Sequence, residues 1–229
     1  MPSILLIAAS RGLGLAMAEE FLQKGWSVTG TVRAGSARTK LHDLARRYPG
    51  PLEIETLDIC EPAQIAALRE RLSGRVFQML FVNAGTTNNE KETIGEVTTE
   101  EFVRVMTTNA LCPMRVVESL QGLVTIDGLI GVMSSGQGSV TNNVNGMREV
   151  YRGSKAALNQ LMRSYAARHA ARPRPLVLMA PGWVRTELGG PEARLGIEES
   201  VPNLVNVLLQ KQDRPGLEYL DYLGRTVPW

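Results

Sequence analysis

Ile4-Leu5-Leu6-Ile7-Ala8-Ala9-Ser10-Arg11-Gly12-Leu13-Gly14 is the stretch on which the fold of this chain turns. Its apolar opening, Ile4 to Ala9, is short and continuous, as suits a strand buried on both faces. The glycines that follow lead into a helical pattern with Leu15, Ala18, Phe21 and Leu22 on one side. Strand, glycine turn and helix in that order set the free N–H groups of a helix N-terminus at the end of a strand. That arrangement takes the pyrophosphate of a dinucleotide. Gly12 and Gly14, without Cβ atoms, would let the backbone approach the phosphates and the helix pack closely on the strand.

The cycle recurs down the chain. Strands are expected at Ser27–Val32, Leu52–Leu57, Val76–Val82, Leu129–Ser134, Leu176–Met179 and Glu218–Leu223. Helices are expected at Thr39–Arg47, Pro62–Leu72, Thr99–Gln121, through Tyr151 to about Ala171, and over Ile197–Gln210. Such alternation requires parallel pairing through right-handed crossovers. The expected fold class is α/β: a single-domain doubly wound parallel sheet, or Rossmann fold, of about seven strands with helices on both faces. No repeat or linker interrupts residues 1–229, which read as one NAD(P)-binding domain.

Bulk composition narrows the partners. Lys and Arg number 25 against 23 Asp and Glu, and a net charge of +2 gives no electrostatic case for nucleic acid or a membrane surface. No stretch approaches the roughly 18 apolar residues of a bilayer span, and the N-terminus lacks a basic lead-in. A cytoplasmic protein acting on small molecules is the expectation. Cys60 and Cys112 are not at ligand spacing and read as reduced core thiols. His42 and His169 sit among charged residues with no carboxylate or second histidine at metal spacing; both are expected to face solvent, and no metal site is expected. The basic run Arg168–Arg174 suits a helix C-terminus rather than a nucleic-acid contact.

An acidic residue at the end of the second strand would accept hydrogen bonds from a ribose 2′-hydroxyl. Here the strand ends Gly30-Thr31-Val32-Arg33, and the first carboxylate after it is Asp43. Arg33, with Arg11 reaching over from the first turn, suits a 2′-phosphate, so NADP(H) is expected over NAD(H). Farther along, Tyr151 and Lys155 stand four apart at the start of a helical run, on one face and about 5 to 6 Å apart at Cβ. An ammonium beside a phenol favours the phenolate, so Lys155 is expected to draw the Tyr151 pKa down toward working pH.

These features together resemble the short-chain dehydrogenase/reductase family along nearly the whole chain. The markers are Ile7–Gly14, Asn83-Ala84-Gly85, Asn109, Ser134-Ser135, Tyr151-x-x-x-Lys155 and Pro181-Gly182-Trp183-Val184-Arg185-Thr186. Within the family the chain is most similar to the C-factor and sniffer-type carbonyl reductases, through Tyr-Arg-Gly-Ser-Lys-Ala-Ala-Leu-Asn, Pro-Gly-Trp-Val-Arg-Thr-Glu-Leu-Gly-Gly and the closing Val-Pro-Trp. The resemblance implies hydride transfer between nicotinamide and a small carbonyl or alcohol, with Tyr151 exchanging the proton on the substrate oxygen. Lys155 would hold the nicotinamide ribose and tune Tyr151, Ser135 would orient the substrate oxygen, and Asn109 would hold a water linking Lys155 to solvent. It also implies cofactor contacts from Ala8, Ser10, Arg11, Gly12, Leu13, Gly14 and Arg33. Further contacts would come from Asp58, Ile59, Asn83, Ala84, Gly85, Tyr151, Lys155, Pro181, Gly182, Val184 and Thr186. Family members pair through two long helices, here Thr99–Gln121 and Glu149–Ala171, which implies a homodimer or homotetramer.

Ser135 lies 16 residues before Tyr151, a longer interval than is usual in the family but one that the C-factor group resembles. Ser134 therefore reads as a strand-end residue. Residues 136–150 and 183–197 are the expected walls of the substrate pocket. Trp183 could wall it or pack beneath a loop. The family's Thr-Gly at the nucleotide turn is here Ile7-Ala8, which removes a hydroxyl that would tie the turn down. Alanine fits if φ is negative, and a tighter pyrophosphate site is then expected. An NADP(H)-binding regulatory or signalling protein without dedicated turnover is the alternative reading. An epimerase or dehydratase acting on sugar nucleotides would need a larger C-terminal domain than the roughly 50 residues after Pro181.

Overall fold

The computed structural model describes residues 1–35 and 38–229. Seven strands, β1 Ser3–Ile7, β2 Ser27–Val32, β3 Leu52–Thr56, β4 Phe77–Val82, β5 Val124–Met133, β6 Pro175–Ala180 and β7 Gly216–Asp221, form one sheet in the order β3-β2-β1-β4-β5-β6-β7. Every neighbouring pair is parallel. The strand order reverses between β1 and β4, and the crevice beyond their carboxyl ends is where ligands bind in such sheets.

Alternate residues of each strand supply two cores, as the period of two requires. On one face Leu5 and Ile7 pack with Ile65 of α3 (Pro62–Arg71), Val116 of α5 (Cys112–Leu120) and Leu158 and Met162 of α6 (Glu149–Arg168). On the other face Ile4 and Leu6 pack with Phe21 of α1 (Gly12–Gln23), Leu41 of α2 (Lys40–Arg47) and Leu204 and Leu208 of α7 (Ile197–Lys211). Helices on both faces explain why the strands read as continuous apolar runs. Among the described residues no helix is long and apolar enough to cross a membrane.

Several expectations change. The long helix expected over Thr99–Gln121 is three pieces: α4 (Thr99–Met106), a π turn over Thr107–Leu111, and α5. Pro113 accounts for the break. It has no N–H for the Asn109 carbonyl four residues back, and its ring crowds that carbonyl. The ladder widens just upstream, where the Cys112 N–H bonds to the Thr107 carbonyl five residues before it. β5 begins at Val124, five residues earlier than the apolar run suggests, because Asp127 and Gly128 mask its first half. Neither histidine faces solvent freely. His42 is half-buried and its Nδ1 accepts from the Thr39 N–H at 3.1 Å, capping α2, while His169 stacks on Tyr165 with ring centroids 4.2 Å apart. Cys60 is half-buried, Cys112 is buried, and their Sγ atoms are 3.3 Å apart as free thiols.

Candidate active site

The turn after β1 is built around two backbone anomalies. Gly12 opens α1 at φ +55°, and Gly14 lies so close to the strand that a Cβ there would sit 2.2 Å from the Ala8 carbonyl oxygen. Gly14 has no room for a Cβ, and Gly12 takes its left-handed conformation without the penalty that a side chain would bring. Ala8 corrects the sequence expectation, because its φ is +65° rather than negative. The left-handed geometry is enforced from both sides. The Ala8 N–H donates to Thr31 Oγ1 of β2 at 2.9 Å, and its carbonyl accepts from Asn83 Nδ2 at 3.1 Å. The hydroxyl missing at residue 7 is thus replaced by that of buried Thr31, so the turn is tied down after all.

Above β5 and β6 lies a cavity of about 420 Å³, within the range of small-ligand pockets. Leu13, Ser135, Tyr151, Pro181, Gly182, Val184 and Thr186 line it together. Of the expected walls, Gly136, Gln137, Asn142 and Arg148 come from residues 136–150, and Trp183, Leu188 and Gly189 from residues 183–197; Gly190 to Ile197 stay off it. Trp183 both lines the cavity and donates its Nε1–H to the Gly189 carbonyl at 2.8 Å. The opposite side is closed by Asp221, Tyr222, Arg225 and Val227, a C-terminal contribution the sequence reading did not assign.

The two serines divide their work. Ser134 is buried and donates to Asn159 Oδ1 at 2.6 Å, whereas the Ser135 hydroxyl faces Tyr151 and favours its ionised form. Lys155 is buried; its Nζ donates to the Met133 carbonyl at 3.0 Å and lies 5.9 Å from the Tyr151 ring centroid. Desolvation pulls its pKa down to about 8. The Tyr151 pKa is raised, not lowered as expected. Burial of the phenol outweighs the opposing effects of the Ser135 hydroxyl and the Arg148 guanidinium.

Asn109 sits in the π turn against α6. Its side chain accepts from the Thr86 N–H at 2.8 Å and donates to the Thr86 carbonyl at 2.8 Å and to Ser154 Oγ at 2.9 Å. Ser154 in turn donates to the Tyr151 carbonyl at 2.8 Å, so Asn109 grips the helical turn that carries the tyrosine. Gly85 completes this corner, where a Cβ would stand 3.4 Å from Lys155 Nζ and 3.6 Å from Asn109 Oδ1.

A second cavity of about 300 Å³ is lined by Arg33, Ala34, Gly35, Asp58 and Gln64 at the ends of β2 and β3. Asp58 Oδ1 accepts from the Cys60 N–H at 2.9 Å, and Gln64 Oε1 accepts from the Asp58 N–H at 2.8 Å, fixing that rim. The Ile59 side chain is buried in the core instead of facing the cavity, and Ala84 packs against the core. Ser10 is half-buried beside the turn. Arg11 does not reach toward Arg33 as expected; it pairs with Glu187 on the loop after β6, across the cleft from α1. A glycine turn, a helix N-terminus and a second cavity with Arg33 on its rim fit an extended, phosphate-bearing dinucleotide. Among the described residues no group of three or more His, Cys, Asp and Glu side chains converges to hold a metal.

The model of the enoyl-(acyl carrier protein) reductase family matches residues 7–200. The chain belongs to the short-chain dehydrogenase/reductase family. As a member it is a nicotinamide-dependent oxidoreductase. A short-chain dehydrogenase/reductase of Burkholderia multivorans, solved with bound NADP, is 69% identical, with a TM-score of 0.99 over 100% of this chain and 99% of that one. A carbonyl reductase of Pseudomonas aeruginosa PAO1 in complex with NADP is 34% identical, with a TM-score of 0.92 over 100% of both chains. C-signal of Myxococcus xanthus is 34% identical over 138 residues, 59% of this chain and 83% of its own.

Arg148 was not singled out from sequence. It stands three residues before Tyr151 but outside α6, in left-handed backbone, so helical spacing gave no signal for it.

Proposed function

We propose that this protein is an NADPH-dependent reductase of small carbonyl compounds, able to run as an alcohol dehydrogenase when oxidised cofactor prevails, with Tyr151 as general acid and base. The observation that carries this reading is the meeting of Tyr151, Ser135 and the Pro181–Thr186 segment around one cavity, with Lys155 buried behind the phenol. The NADP bound in the Burkholderia and Pseudomonas relatives supports the phosphorylated cofactor. Arg33, standing where an acidic residue would read a free ribose 2′-hydroxyl, supports it independently.

When bound, the nicotinamide supplies or accepts the hydride; the chain supplies position and protons. The backbone at Gly12 to Gly14 and the α1 N-terminus would hold the pyrophosphate, and Arg33 the 2′-phosphate. Lys155, with its Nζ buried beside Gly85, would donate to the nicotinamide ribose. Ser135 would donate to the substrate oxygen and aim it at the Tyr151 hydroxyl, which gives up its proton as the carbonyl is reduced. Asn109 would hold the helical turn under Tyr151 in register for this transfer, and the water link to Lys155 implied by the resemblance remains part of this reading. Leu188 and Trp183 offer an apolar wall, and the buried Gln137 Oε1 has no protein partner, so a second polar group on the substrate can meet it.

The test is NADPH oxidation with a panel of aldehydes, ketones and quinones. Tyr151→Phe should lower kcat/KM at least about 100-fold with NADPH binding retained. Wild-type turnover by Tyr151→Phe would overturn the assignment. The relation to C-signal favours the second reading, a cofactor-binding signalling protein; NADPH binding without turnover of any panel member would be its signature.

A further inference from the structure

The Tyr151 ring meets a cation that none of the family markers above contains. The helix that carries it is entered through Gly146, Met147 and Arg148 at φ +64°, +61° and +57°. Left-handed backbone is unfavourable for residues with a Cβ, and two in succession persist only where the surroundings hold them. What they hold here is the Arg148 side chain, which is 16% exposed and lines the cavity with its Cζ 5.1 Å from the Tyr151 ring centroid. Lys155 Nζ is farther, at 5.9 Å. Arg148 Nη2 pairs with Glu90 in the segment after β4, while its Nε is buried without a protein partner. A neighbouring contact fastens the same segment to the helix start, because the Ile94 N–H donates to Glu149 Oε2 at 2.5 Å.

We propose that Arg148 is a positioning residue for proton transfer: its guanidinium, held against the Tyr151 ring by left-handed backbone and by Glu90, stabilises the phenolate, and Glu90 limits how much of that charge the ring feels. The proposal rests on the reading of Tyr151 as the proton-exchanging group. A cation over an aromatic face is attracted by the ring, and more strongly once the phenol has lost its proton. The groups that face Tyr151 are few. Lys155 belongs to its own helix, Arg148 to the left-handed turn that enters it, Glu90 to the segment after β4, the Ser135 hydroxyl to the end of β5, and Tyr219 to β7. Burial raises the Tyr151 pKa most, Ser135 and Arg148 oppose it, and Glu90 adds to it. Arg148 therefore supplies, in this chain, part of the electrostatic effect that the family resemblance gives to Lys155.

The test is a spectroscopic titration of the phenolate band, with Tyr151 isolated by subtracting the Tyr151→Phe spectrum from that of each protein. Arg148→Met should move the Tyr151 midpoint upward by about one pH unit, a tenfold loss of phenolate at fixed pH. Arg148→Lys should restore most of it, and Glu90→Gln should move the midpoint down. The phenolate-dependent limb of the kcat/KM profile for alcohol oxidation should shift in the same directions, with KM nearly constant. A wild-type midpoint in folded Arg148→Met would overturn the proposal. If that variant fails to fold, an unchanged midpoint in Glu90→Gln overturns it instead. The titration needs no turnover, so full activity in Tyr151→Phe would sink the functional reading separately.

Discussion

Ala8 shows how one residue departs from its family without loss of the local structure. Where the family has glycine, this chain holds alanine at φ +65°, conformation that glycine reaches freely and alanine does not. The Thr31 hydroxyl and the Asn83 amide bond the two sides of its peptide plane network, and β2 and β4 are thereby tied to the same turn. Ala8→Gly would remove a backbone penalty of about 1 to 2 kcal/mol, partly offset by the greater freedom of glycine in the unfolded chain. The expected net result is a rise in Tm of roughly 2 to 4 °C in the cofactor-free protein, measured by calorimetry. A fall in Tm would show that the alanine methyl contributes more in contacts than its torsion costs. The sign of this torsion was not legible in the sequence, because partners 23 and 75 residues away impose it. The identities of Tyr151, Lys155, Ser135 and Asn109 were legible, since each stands in an ordered motif. Arg148 and Glu90 were not, for their meeting depends on how two separate loops close on the tyrosine helix.

At the scale of elements, the π turn is the feature that converts a helix into part of the site. Pro113 withholds a donor, the ladder widens over Thr107–Leu111, and Asn109 is delivered to Thr86 and Ser154. Pro113→Ala should let α4 and α5 join as one regular helix, because the alanine N–H can bond to the Asn109 carbonyl. Closing the ladder would rotate Asn109 relative to α6 and release the turn beneath Tyr151. Misplacement of this order is expected to lower kcat by about ten- to 100-fold while NADPH binding and Tm stay near wild type. Steady-state kinetics beside a cofactor titration checks this, and an unchanged kcat would mean that the Ser154 contact suffices without the π geometry. The same segment marks where the reading of elements failed. Apolar spacing carried across Thr99–Gln121 without a break, and only Pro113 signalled one. Elsewhere the buried parallel strands were legible as apolar runs, and β2 matched residue for residue at Ser27–Val32. The first half of β5 escaped because Ile126, at 72% exposure, and Asp127 lie outside the apolar run on which strand detection relied.

For the whole molecule, α4, the π turn and α6 carry large apolar side chains that stay exposed. Phe102 and Val103 on α4, Leu111 on the π turn and Leu161 on α6 are 40%, 52%, 41% and 41% exposed, and α4 and the π turn pack directly against α6. These are the elements through which the family resemblance implies pairing, and we propose that a second copy of this chain covers them. A net charge of +2 sets little repulsion against self-association. A stable pair needs about 800 Å² from each partner, and four large apolar side chains on adjoining elements give such a patch its centre. Light scattering coupled to gel filtration should therefore return two or four times the chain mass of 25.0 kDa. The double variant Phe102→Glu, Leu161→Glu would bury unpaired carboxylates in that contact and should elute as a monomer. None of these four residues lines the cavity at Tyr151, so the dissociated variant should still bind NADPH. A wild-type mass of one chain would refute the pairing. Loss of kcat together with dissociation, with cofactor binding kept, would show instead that pairing props the π turn against α6, and through Asn109 and Ser154 the tyrosine itself.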